Sequence, residues 1–145
     1  MTILLWTLSC CLLLGGAPPQ GVDRMGQMEE AREWRGQYGG EATATARSIT
    51  DEHQWTRLWR QLDKPMPALD FTRNLAVVAY AGQRPTGGFT LEFLEPVHQG
   101  EDLLIRWRVR RPAPDAFVTQ AFAQPWKVKV FPQPKGKLRL EEIKE

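Results

Sequence analysis

Leu75-Ala76-Val77-Val78-Ala79-Tyr80-Ala81 is the stretch on which the fold turns. A half-exposed strand alternates apolar with polar side chains, and a surface helix interrupts its apolar residues every three or four positions. This run does neither, and Asn74 and Gly82 bound it with residues that favour turns. A short unbroken apolar run of this kind predicts a central strand buried on both faces.

Downstream, Gly82-Gln83-Arg84-Pro85-Thr86-Gly87-Gly88 reads as a tight loop. Proline presets φ at the second position of a turn and glycine supplies positive φ without a Cβ penalty. Phe89, Leu91 and Phe93 then alternate with Thr90 and Glu92, so the loop is expected to close a hairpin onto a half-buried strand beginning at Phe89. His98-Gln99-Gly100 marks a further turn, and Leu103, Ile105, Trp107 and Val109 alternate with Leu104, Arg106, Arg108 and Arg110 in a two-faced strand. Beyond Pro112 and Pro114, residues 117–122 read as a weaker strand. Trp126, Val128 and Val130 alternate with Lys127 and Lys129, and residues 138–143 close the chain.

Upstream, Trp55, Leu58, Trp59 and Leu62 fall at the spacing of one helix face. Asp51 and Gln54 form a capping-box pattern at its start, and Pro65 and Pro67 mark its end. Residues 33–38 and 42–49 are two further candidate strands, the second built of small and β-branched residues. Several short strands with one early amphipathic helix predict an α+β domain, mainly antiparallel β-sheet, curled or folded into a sandwich over the Trp55/Trp59 face.

The N-terminus is different in kind. Residues 3–14 are an apolar run broken only by Thr7, Ser9 and Cys10-Cys11. It is too short to span a bilayer and fits the core of a secretory signal, with Gly15-Gly16-Ala17 as the small residues before a cut. Residues 1–17 are therefore expected to be a signal peptide, 18–30 a linker containing Pro18-Pro19, and 31–145 a single domain. The expected location is secreted, periplasmic or in the cell envelope. Leu8-Ser9-Cys10-Cys11 has the wrong residue before Cys11 for a lipid-anchor motif. Both cysteines lie in the leader, so a processed chain would have no disulfide and no thiolate.

Little in the remainder points to catalysis. Ser48 is the only serine after the leader, and no G-x-S-x-G surrounds it. His53 and His98 are the only histidines, and neither has Cys, His or carboxylate neighbours at metal-ligand spacing. Residues 82–88 lack the Lys-Ser/Thr ending of a phosphate-binding loop and precede a strand instead of a helix. The expectation is a non-enzyme with no cofactor and no bound metal. The formal charge of +2 divides into −4 over residues 18–102 and +6 from residue 103 onward. Arg106, Arg108, Arg110 and Arg111 would join Lys127 and Lys129 in one basic stripe, for anionic polysaccharide or lipid, if their strands were neighbours. Trp107 alternates to the opposite face from those arginines, and export removes the chain from nucleic acid, so no nucleic-acid partner is expected.

Gly82-Gln83-Arg84-Pro85-Thr86-Gly87-Gly88-Phe89 followed by Thr119-Gln120-Ala121-Phe122-Ala123-Gln124-Pro125-Trp126 resembles the PrcB family, over roughly residues 50–135. That family shows a G-x-[KR]-P-T-G-G-[YF] turn and then a Thr-Gln segment leading to proline and an aromatic. The resemblance implies a non-catalytic, extracytoplasmic accessory domain whose protein partner is a protease. A second similarity is to inhibitors of the chagasin type, which insert N-P-T-T-G-[YF] and R-P-[WF] loops into papain-like peptidases. Pro85, Thr86, Gly88 and Phe89 match the first loop and Pro125 and Trp126 the second, while Arg84, Gly87 and Gln124 depart from it. Both likenesses direct attention to Arg84, Pro85, Thr86, Gly87, Gly88, Phe89, Pro125 and Trp126 as the binding residues.

Overall fold

A computed structural model describes residues 32–144. The expected signal peptide and linker, with both cysteines, lie outside the described residues. Eight strands and one helix follow in the order β1 (Glu33–Gly36), β2 (Ala44–Ile49), α1 (Glu52–Gln61), β3 (Asn74–Ala81), β4 (Thr90–Phe93), β5 (Val97–Gln99), β6 (Asp102–Arg110), β7 (Trp126–Pro132) and β8 (Leu138–Glu142).

The strands form two sheets. One has the order β1-β7-β3-β2, antiparallel throughout. The other is built on β6, which pairs antiparallel with β4 and β5 and parallel with β8. The domain is thus α+β and mainly antiparallel, with one parallel pair. The register of β5 on β6 is one residue out of step with that of β4, so residues 94–96, including Pro96, form a bulge in one long hairpin arm.

Strand β3 explains the layering. Every one of its residues is buried. Ala76, Val78 and Tyr80 join Trp55, Leu58, Trp59 and Leu62 of the helix region and Trp126 and Val128 of β7 in one core. Leu75, Val77, Ala79 and Ala81 face the other way, into a second core with Leu91, Phe93, Leu103, Ile105, Trp107 and Phe131. The order of layers is helix, sheet, sheet, and β3 is the shared wall.

The helix follows its sequence pattern at both ends, with one surprise. Asp51 caps the N-terminus by accepting the Gln54 N–H at 2.8 Å, while the Gln54 side chain reaches back to the Thr50 N–H at 3.2 Å. The helix stops before the prolines. Asp63 takes a left-handed φ of 52°, and the Lys64 and Asp63 amides donate to the Trp59 and Arg60 carbonyls. That is a Schellman closure with aspartate where glycine is usual.

Four expectations fail. The 82–88 loop closes no hairpin: β3 and β4 belong to different sheets, and the loop carries the chain from one layer to the other. Residues 117–122 form no strand, because their aromatic residues fall on both alternating faces and Pro112 and Pro114 interrupt the approach. The basic stripe is also absent. β6 and β7 lie in different sheets, and Arg108 and Arg110 converge on Glu92 at 2.8 and 3.3 Å. His98, finally, sits within β5, and the turn is Gly100-Glu101.

Candidate protein-binding site

The 84–89 turn is held by a second loop. Arg84 and Ala123 exchange two backbone hydrogen bonds, at 2.8 and 2.9 Å, and the Gly87 amide donates to the Thr119 carbonyl at 2.9 Å. The Arg84 side chain folds back so that Nε donates to the Ala81 carbonyl at 2.9 Å, with its guanidinium 5.3 Å from the centre of the Phe89 ring. The Thr86 hydroxyl donates to the Gly87 carbonyl at 3.0 Å. Gly88 has φ of 85°, and a Cβ there would lie 2.5 Å from Val118 Cγ1. Only glycine satisfies both the backbone angle and the contact. Pro85 and Gly88 are exposed, whereas Arg84, Thr86 and Phe89 are half-buried and Gly87 is buried.

Pro125 and Trp126 occupy a different environment. Pro125 is fully buried, and its carbonyl accepts the Ala81 amide at 2.9 Å. Trp126 is only 3% exposed, packs edge-on against Trp59 at 6.2 Å and donates its indole N–H to the Tyr38 carbonyl at 2.8 Å. Its ring lies where Gly36, opposite on β1, leaves room: a Cβ there would come 2.6 Å from Trp126 Nε1. The structure therefore divides the eight sequence-derived residues. Six form the pinned turn, and two sit in the core that anchors the start of β7.

The same hydrogen bonds gather a third segment. The Gln124 amide donates to the Gln37 carbonyl at 2.9 Å, the Gly40 amide to the Gln124 carbonyl at 3.1 Å, and the Gln37 side chain to the Phe89 carbonyl at 3.1 Å. Segments 37–40, 84–89 and 118–124 are thus tied together. Three large apolar side chains project from this region: Phe117, fully exposed, Phe122 at 70% and Tyr38 at 60%. Sequence reasoning missed all three. Phe117 and Phe122 read as strand residues, and the signal that argued otherwise was Pro112 and Pro114 just upstream. For Tyr38 the following Gly39-Gly40 was the only hint.

No reactive constellation accompanies this surface. Among the described residues no three His, Cys, Asp or Glu side chains cluster as metal ligands, and no helix is long and apolar enough to cross a membrane. Glu92, three residues beyond Phe89, has its pKa held below the usual glutamate range, chiefly by the hydrogen bond from Arg108. It serves as the counter-ion of two arginines.

The PrcB C-terminal family model matches residues 75–132, from the second residue of β3 to the end of β7. The matched span contains β3 and β7, which contribute to both cores, the turn and the loop that pins it, while α1 lies outside it. The family is one of accessory domains and is not a known catalytic family. No curated protein and no solved structure gave a match.

Proposed function

We propose that this chain, a PrcB C-terminal type of domain across residues 75–132, is a non-enzymatic, extracytoplasmic accessory domain that binds a protein partner, namely a protease. The exposure of Phe117 and Phe122 on a loop pinned to the 84–89 turn carries this reading. Aromatic side chains left in water are the residues that dominate binding energy when a partner buries them, with anchors of this type contributing about 2 kcal/mol or more. The backbone bonds at Gly87 and Arg84 hold the loop before any partner arrives, which lowers the ordering cost of association. Arg84, Pro85, Thr86, Gly87, Gly88 and Phe89 act as the frame, with Pro85 at its surface; Pro125 and Trp126 fix that frame to the core.

Export rests on the N-terminal apolar run, with residues 1–17 as the signal, 18–30 as a linker and 31–145 as the exported domain. A papain-inhibitor mechanism has less behind it, since Pro125 and Trp126 are interior and offer no second inserting loop.

The test is co-purification of the tagged chain from its native cells, beside the double variant Phe117→Ser/Phe122→Ser. Both side chains are exposed, so the variant should melt as the parent does. A peptidase recovered with the parent and reduced at least about tenfold with the variant is the expected result. Equal recovery from both, or recovery of no peptidase, overturns the reading.

A further inference from the structure

Among the described residues strand β2 ends its sheet with one edge unpaired, and a groove of about 360 Å³ runs between that edge and α1. Its lining is Arg47, Ser48, Ile49, Gln54, Arg57, Leu58 and Gln61. We propose that this groove takes an extended acidic segment of a partner protein, which adds to the sheet as a further strand beside β2. The site uses none of the residues of the 84–89 turn and does not depend on the partner being a protease.

The edge itself is the first argument. In an antiparallel pair each strand bonds its neighbour through alternate residues, so the others in Ala44–Ile49 turn their N–H and C=O outward. Natural edges are blunted by shortness, bulges, proline or charge. The remaining edges here are blunted: β1 has four residues, the β4/β5 arm is broken by the bulge at Pro96, and β8 carries Arg139, Glu141 and Glu142. β2 has six residues, no proline and a single charge, Arg47, beside the uncharged Ala44, Thr45, Ala46, Ser48 and Ile49. Its small side chains permit close approach of another backbone.

Charge selects the occupant. The groove lining has two arginines and no acid. Arg47 is held in place by Glu41 at 3.0 Å and by the Tyr80 hydroxyl at 3.1 Å, while exposed Arg57 meets the His53 side chain, at 3.0 Å, and no carboxylate among the described residues. Thr45, Arg47 and Ile49 lie on the helix side of β2, opposite Tyr80, Val78 and Ala76, and Ala44 and Ala46 lie on the side of the second core. A strand added here therefore places alternate side chains toward Arg57 and Arg47, where Asp or Glu fits, and the others beside alanines, where apolar residues fit. A second copy of the chain paired about Arg47 would set arginine against arginine across the new pair, which is unfavourable.

The experiment selects binders from a displayed library of short random-sequence peptides and titrates the winners against the purified protein. Expected are peptides with Asp or Glu at alternate positions, binding weakened at least about tenfold by Arg57→Glu. N-methylation of alternate peptide amides should abolish binding, and amide exchange in residues 44–49 should slow when peptide is bound. Winners without acidic bias, binding indifferent to Arg57→Glu, protection elsewhere, or no winner at all would each overturn the proposal. So would protection of residues 44–49 that rises with protein concentration alone, which would assign the edge to self-association.

Discussion

Trp59 sits where four indoles meet. Its ring packs edge-on against Trp34 at 5.3 Å, Trp55 at 5.2 Å and Trp126 at 6.2 Å, yet its own buried N–H has no hydrogen-bond partner among the described residues. Trp55 and Trp126 instead donate to the carbonyls of Pro67 and Tyr38, at 2.7 and 2.8 Å. Replacing Trp126 by Phe strands the Tyr38 carbonyl, whereas Trp59→Phe strands nothing. Denaturant unfolding should therefore show Trp59→Phe costing less than Trp126→Phe by about 1 kcal/mol. Equal costs would mean that packing alone decides both. Asp63 offers an opposite case. At φ of 52° it adopts a conformation glycine takes freely, and it places a negative charge at the negative end of the α1 dipole. Asp63→Gly should stabilise by about 0.5–1 kcal/mol, the larger chain entropy of unfolded glycine being outweighed. Of the paired turn glycines only Gly88 is constrained. Gly88→Ala should cost about 2 kcal/mol or more through backbone strain and collision with Val118, while Gly87→Ala, whose Cβ would lie 3.4 Å from Thr119 at nearest, should cost under about 1 kcal/mol.

At the scale of elements, periodicity made the interior legible and connectivity stayed hidden. The Trp55-Leu58-Trp59-Leu62 spacing, the unbroken 75–81 run and the alternation in 103–110 each found their element, because burial acts on individual side chains and leaves a period in the sequence. Which sheet receives the chain after Gly88 leaves no such trace. A turn of Pro, Thr and glycines suits a hairpin or a crossing between layers equally well, so the 82–88 loop was misassigned. The 117–122 segment failed for a related reason: alternation predicts a strand only where a neighbour offers a ladder, and here there is a single Gly87–Thr119 bond and, just beyond the segment, an isolated bridge of Arg84 with Ala123. Of the site, the turn was visible in sequence. The exposed aromatics were not, since an aromatic residue reads as core until the fold shows nothing above it. The Glu92 pair belongs to this scale as well, joining β4 to β6 through Arg108 and Arg110. Its pKa is depressed in the fold, so its stabilisation is present above the unfolded glutamate value and is lost as pH falls through the lower, folded one. The stability difference between the parent and Glu92→Gln should shrink on acidification below that range; a difference that stays constant with pH would show that the ion pair is inert.

Residues 32–144 stack as helix, sheet and sheet, and three irregular segments, 37–40, 84–89 and 118–124, are tied together beside that stack. Two cores sharing β3 leave little freedom between the layers, and the crossing at 82–88 brings the turn against the 118–124 loop. Such a construction suits recognition: a firm scaffold presents a few exposed side chains, and the surface needs no reactive group. The most direct measurement is site-specific photocrosslinking in native cells, with the photoreactive residue placed at Phe117 and, as control, at exposed Glu101, in the turn before β6 and remote from the 84–89 loop. The account predicts an adduct with a peptidase from position 117 and none with that peptidase from position 101. No peptidase adduct from position 117, or the same adduct from both positions, would contradict it.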